Sequence, residues 1–307
     1  MHARIPALAL SLFLTPALSG AGEAPAAFSI TGTPLYAPEL PEATRSQYEA
    51  ELAAARADFE VDPGEANTIW LGRRLAYLMR VKEAVDVFSE GLERFPDSYR
   101  LLRHRGHRHI TLRDFDAAVT DLARARRLMP REPVEIEPDG RPNRLGIPLS
   151  STQFNILYHL ALAHYLKGDF AAATEAWRAC LDYSTNPDLL VATSDWLYLS
   201  LRRQGLHAEA EALLANITPD LQVIENDAYL RRLRMYRGEL AAEGLLDTAA
   251  EDRSLALATQ GYGVATWHLV EGDVEAAQRL RAAVLDTGAW AAFGYIAAEA
   301  DARRMTR

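Results

Sequence analysis

His104 and His107 stand three residues apart, and Glu135, Glu137 and Asp139 alternate a short distance downstream. At that spacing the two imidazoles share one helix face, and two His plus a carboxylate form a donor set that binds zinc. A metal-assisted hydrolase built on His104, His107 and the three acids is therefore one reading of the chain. The acids followed by Gly140 also imitate part of a calcium loop. That resemblance fails where the bidentate Glu belongs, because the twelfth place is Gly146, and Pro138 interrupts the alternation. Cys180 is the sole cysteine, so no internal disulfide can form. No phosphate-cradling Gly loop, Gly-x-Ser-x-Gly elbow or paired-Cys motif occurs, and no cofactor is implied.

Residues of this kind act only if something holds them, and the chain carries a repeat that does so. Gly72 recurs as Gly106, Ala84 as Ala118 and Pro96 as Pro130, while Phe88 and Leu122 hold the matching large apolar place. The offset of thirty-four residues, with small residues where paired helices touch and Pro after the second helix, is that of a helical hairpin repeat. The first two repeats cover 65–98 and 99–132. A third covers 154–187, keyed by Leu157, Leu160, Ala161, Gly168, Ala173 and Trp177. A fourth runs over about 191–224, a degenerate fifth starts near Ile224, and a sixth starts near Ala258. Trp290 to Gly294 restates a first helix with no second, as a terminal cap does. His109, His164 and His268 share one repeat place that is normally aromatic, so structural imidazoles are expected there.

These features resemble tetratricopeptide (TPR) repeats over about 65–304. The segments Arg103-His104-Arg105-Gly106-His107-Arg108, Glu137-Pro138-Asp139-Gly140 and Tyr158-His159-Leu160, with Gly168-Asp169-Phe170, are similar to an exported bacterial TPR family to which no activity is attached. The expected fold is all-α: a TPR-type α-solenoid of five to six helical hairpins with N- and C-terminal capping helices. Before it, 22–64 is predicted to be irregular apart from one capping helix from Glu42 to Phe59. The period breaks at 133–153, a Pro- and Gly-containing insert that is either a functional loop or a spacer between repeats.

The chain has 307 residues and a formal charge of −9, which argues against general nucleic-acid binding. Its cations are nearly all Arg, with Lys only at Lys82 and Lys167. They concentrate on the predicted first helices, whereas acids crowd the second helices. The resemblance implies that the second, fifth, ninth, twelfth and thirteenth places of a repeat line the concave face. The groove residues expected on that basis are Arg73, Tyr77, Arg100, Arg103, His107, Tyr158, Tyr165, Arg202, Arg203, Arg232 and Tyr236. Arg offers a rigid fork of donors for carboxylates and Tyr a flat face with a polar tip. An acidic peptide or protein partner held there without chemistry is the expected function, with Glu135, Glu137 and Asp139 as a lid or internal pseudo-ligand. The plain alternative is that each Arg pairs with a neighbouring acid. A lipid-handling or structural protein is a third reading.

Residues 1–21 read as an export signal, with His2 and Arg4 ahead of an apolar run and cleavage expected near Ala21. The run is shorter than the about 20 residues that span a bilayer. A periplasmic or secreted location and no stable membrane insertion are the corresponding expectations.

Overall fold

The computed structural model describes residues 24–218, 220–246 and 253–305, and the leader expected at 1–21 lies outside them. The fold is all-α, with fourteen helices among the described residues. After α1 (Glu42–Val61) come two pairs, α2 (Glu65–Tyr77) with α3 (Val81–Arg94) and α4 (Tyr99–Thr111) with α5 (Phe115–Leu128). Beyond the insert follow α6 (Thr152–Lys167), α7 (Phe170–Leu181), α8 (Pro187–Arg203), α9 (His207–Leu214), α10 (Asp227–Tyr236) and α11 (Glu243–Leu246). The chain ends in α12 (Arg253–Val270), α13 (Val274–Asp286) and α14 (Phe293–Met305). No helix among the described residues is long and apolar enough to cross a membrane.

Local chemistry sets the helix starts. Ser98, Asp114, Ser151, Asp169, Asn186 and Asp273 each accept a hydrogen bond from the backbone N–H three residues on, satisfying a donor the helix itself leaves unpaired. The turns between paired helices need one left-handed residue. Gly168, Gly205 and Gly272 supply it at φ 84°, 72° and 93°, but Met79 and Arg113 hold the same place at 57° and 67°. Side chains cost energy there, and Arg113 has a compensating use described below. Gly72 and Gly106 permit the pairing itself. A Cβ on Gly72 would sit 2.3 Å from the Phe88 ring, and one on Gly106 would sit 2.6 Å from Leu122 Cγ.

First helices α2, α4, α6 and α8 touch one another in succession and form an inner layer. Each of α3, α5 and α7 packs on its own partner and on the next first helix, outside that layer. The fifth pair departs from the expected pattern, because α11 has only four residues among those described. The terminal cap also starts later than its sequence motif: Trp290 precedes α14 and is buried.

The stack folds back on itself at its C-terminal end. Helix α14 packs on α12 and α13 and also on α6, and α12 reaches α8. Arg113 donates to Glu299 at 2.9 Å and to the Trp290 carbonyl at 2.8 Å, tying the second turn to the last helix. The segment expected to be irregular contains a short antiparallel pair, β1 (Ala27–Phe28) and β2 (Pro34–Leu35). It docks on the far end of the chain: Ile30 N–H donates to Glu299 and the Trp290 indole to the Tyr36 carbonyl. Closure explains why fourteen of the sixteen residues of α6 are buried. A helix covered on every side carries no amphipathic stripe.

Candidate functional site

The inner-layer Arg residues fall into two sets with different counter-charges. In the C-terminal set Arg202, Arg203 and Arg232 each meet a carboxylate. Arg232 on α10 clasps Asp195 on α8 with two parallel hydrogen bonds, Nε to Oδ1 at 2.8 Å and Nη2 to Oδ2 at 2.5 Å. Tyr236 adds a third bond to Asp195 at 3.1 Å. Burial alone would weaken the Arg232 charge, but Asp195 more than offsets this and holds its pKa above the ordinary value. Arg202 pairs with Glu271 at 2.8 Å, and Arg203 pairs with Asp301. Tyr158 exchanges a hydroxyl contact with Tyr229 at 3.3 Å, and the fully buried Tyr165 accepts from Tyr262 at 2.8 Å.

The N-terminal set is built from α2, α4, α6 and the insert. The insert is held by an antiparallel bridge between Ile136 and Ser151, with Glu137 N–H bonded to the Ser150 carbonyl. That lays its acids on α4. Glu135 takes a two-pronged contact from Arg100 at 2.5 and 2.7 Å and a third bond from Tyr99 at 2.9 Å. Arg100 is the foremost cause of a lowered Glu135 pKa. Asp139 is half-buried, and burial raises its carboxyl against the opposing pull of Arg73. Gly140 fits against Tyr77 where a Cβ would lie 1.8 Å from the hydroxyl, and its carbonyl accepts from Arg74 at 3.3 Å.

Beneath the insert lie two adjoining cavities that share Arg73, His104 and Glu137 as walls. The outer one, of about 260 Å³, is lined also by Ile69, Trp70, Pro138 and Arg100, the last paired there with Glu65 and Glu135. The deeper one, of about 120 Å³, is lined also by Tyr77, Phe88, Arg103, His107 and Arg108. Here the counter-charge is incomplete. Arg103 Nη2 is 2.8 Å from Glu137 Oε1, yet Arg103 Nε and Glu137 Oε2 are both buried without a hydrogen-bond partner. Arg73 rests over the Trp70 ring at 4.4 Å and donates to Tyr77 at 3.4 Å. Neither Arg73 nor Arg108 has a carboxylate within ion-pair distance among the described residues. Burial, reinforced by Arg103, pulls the Arg108 pKa down to about 10.

The imidazoles respond to the same environment. Burial comes first, and the guanidiniums of Arg103 and Arg108 add to it, so His104, His107 and His159 lie well below the usual imidazole range. Their hydrogen bonds fix tautomers. An Arg can only donate, so His104 Nδ1 accepts from Arg103 Nη1 at 3.0 Å and the ring proton resides on Nε2. A carbonyl can only accept, so His159 Nδ1 donates to Asn155 O at 2.6 Å. His107 packs against His159 with centroids 4.2 Å apart.

The predicted groove residues thus separate. Arg73, Tyr77, Arg103 and His107 converge on the deep cavity, and Arg100 borders the outer one. Tyr158, Tyr165, Arg202, Arg203, Arg232 and Tyr236 belong to internal networks, which removes the continuous open channel expected along the inner layer. The zinc set is not assembled: among the described residues no three His, Cys, Asp or Glu side chains stand close enough to share a metal ion. His109, His164 and His268 sit beside Asp114, Asp169 and Asp273 at the helix turns, partly buried. Site residues outside the repeat-derived groove set are Arg108, His159 and Trp70. A signal for them is present in α4, which carries four Arg and three His but no acid in thirteen residues. No family model matches the chain, and no curated protein matches it either.

Proposed function

We propose that this chain is an exported helical-repeat protein of the TPR type that binds an acidic segment of a protein partner at the inner face of its N-terminal repeats. The thirty-four-residue period and the packing of consecutive helices in pairs support the repeat assignment. One observation carries the binding reading: Arg73, Arg103 and Arg108 gather around one cavity that supplies a single carboxylate wall, Glu137. Such a site is preorganised for negative charge, and preorganisation lowers the cost of capture. The outer cavity, with Ile69, Trp70 and Pro138, offers apolar and aromatic surface for the side chain next to the captured acid. The hydrolase alternative lacks a metal donor set among the described residues, and both cavities under the insert are lined by charged side chains, which leaves lipid handling without support there.

The test is a peptide array of random and acid-rich sequences, probed with residues 22–307 at low and high salt. Selection of acid-rich peptides, weakened by salt and by Arg73→Gln with Arg103→Gln, is the expected result. Enrichment of neutral or basic sequences, insensitive to both changes, would overturn the reading.

A further inference from the structure

We infer that the deep cavity under the insert is a dedicated site for one oxyanion group, a carboxylate or a phosphate, and that Glu137 occupies part of it as a resident competitor. The inference rests on the inner-face reading above but narrows it from an acidic surface to a single pocket with a defined occupant.

Four facts converge. The deep cavity, about 120 Å³, has room for one small anion and little more. Three guanidiniums face it and only one carboxylate does. The contact between that carboxylate and Arg103 is close but incomplete, since a donor on one and an acceptor on the other stay buried and unused. A native interior seldom leaves such atoms orphaned, and an anion that accepts from Arg103 Nε would satisfy the donor. The pocket also sits where α2, α4 and the insert meet, and His107 in its wall packs against His159 on α6. The Arg232 pair on the same inner layer shows a fuller match, two aligned bonds to Asp195. Arg202 and Arg203 also keep a buried Nε without a partner beside their carboxylates, so what sets Arg103 apart is that Arg73 and Arg108 crowd its cavity without carboxylates of their own.

Glu137 has a distinct role in this arrangement. Its charge partly neutralises Arg103 when the site is empty, and an incoming oxyanion must outcompete it. Neutralising Glu137 therefore strengthens binding, whereas a purely structural lid residue would weaken the pocket when altered. His104 and His159, which are buried, and the half-buried His107 lie near Arg73, Arg103 and Arg108 on α2 and α4, and Glu137 on the insert shares the cavity wall with His104 and His107. Added negative charge draws a proton onto one or more of them, so binding takes up protons.

The experiment is calorimetric titration of the wild-type protein, Arg108→Gln and Glu137→Gln with acetate, with inorganic phosphate and with an acid-rich peptide. Each titration is run in two buffers of different ionisation heat. The expected result is binding of at least one small anion, about tenfold or more weaker in Arg108→Gln and tighter in Glu137→Gln, with net proton uptake. Preference between acetate and phosphate identifies the group. Thermal melting without anion guards against misfolding, since Arg108→Gln is expected to melt no lower than wild type. Small-anion binding unchanged by Arg108→Gln, or weakened by Glu137→Gln, would sink the inference. Peptide binding that persists without small-anion binding also defeats it while sparing the broader proposal. Small-anion binding without peptide binding does the reverse.

Discussion

Arg232 and Arg108 share a residue type and a place on the inner layer of helices, yet they stand in opposite electrostatic situations. Arg232 is buried against Asp195 in a two-bond clasp that Tyr236 completes. Arg108 is half-buried beside Arg103 and meets no carboxylate among the described residues. Burying a charge is costly unless it is paired and hydrogen-bonded. The first arrangement removes most of that cost, and the second leaves it standing in the folded protein. A fold keeps such a debt where the charge has work outside the fold, so the unmatched region is the place to look for a ligand.

The sharpest way to break this comparison is Arg232→Met. It strands Asp195 in a dry interior, and urea unfolding is expected to lose about 3–5 kcal/mol. A loss below about 1 kcal/mol would show that the clasp is not the counter-charge proposed. Acid is the next lever. His104, His107 and His159 have depressed folded pKa values, so the unfolded chain binds more protons below about pH 6.5. Stability from these groups is complete above that pH and declines as pH falls through it, by about 1.4 kcal/mol per pH unit for each imidazole. Unfolding curves between pH 7.5 and 5.5, repeated on His104→Gln, measure the slope; an unchanged slope in the variant removes His104 from the account.

Glu137→Gln removes the one carboxylate beside buried Arg103, and a loss of about 1–3 kcal/mol is expected. Asp195→Asn, measured alongside, should cost more, because its clasp has two aligned bonds where the Glu137 contact is incomplete. Arg108→Met tests the other side of the comparison. Taking away an unmatched charge is expected to leave stability unchanged or raise it by about 1 kcal/mol, and to flatten the acid slope, because Arg108 helps to depress His104 and His107. Marked destabilisation would mean that Arg108 has a structural partner after all.

The helical pairs were readable because their causes are local. Gly72, Gly106, Phe88 and Leu122 recur at a fixed offset, and the caps at Asp114, Asp169 and Asp273 mark helix starts within a few residues of sequence. The short α11 was foreshadowed by the poor match in the fifth repeat. Closure of the stack was not readable, since it depends on Arg113 reaching Glu299 across 186 residues and on Tyr36 receiving the Trp290 indole. The candidate site was half legible. Arg73, Tyr77, Arg103 and His107 follow from repeat position, and the acid-free composition of α4 points to Arg108. Which Arg residues have counter-ions was hidden, because Arg232 and Asp195 lie 37 residues apart and Arg203 and Asp301 lie 98 apart.

By itself, then, the sequence determined the element types and their pairing, because helix period, caps and small contact residues act within one repeat. The tertiary structure alone decided which guanidiniums are matched by a carboxylate and which are not. Coulomb energy depends on separation and on exclusion of water, and both are set only when distant helices close over one another.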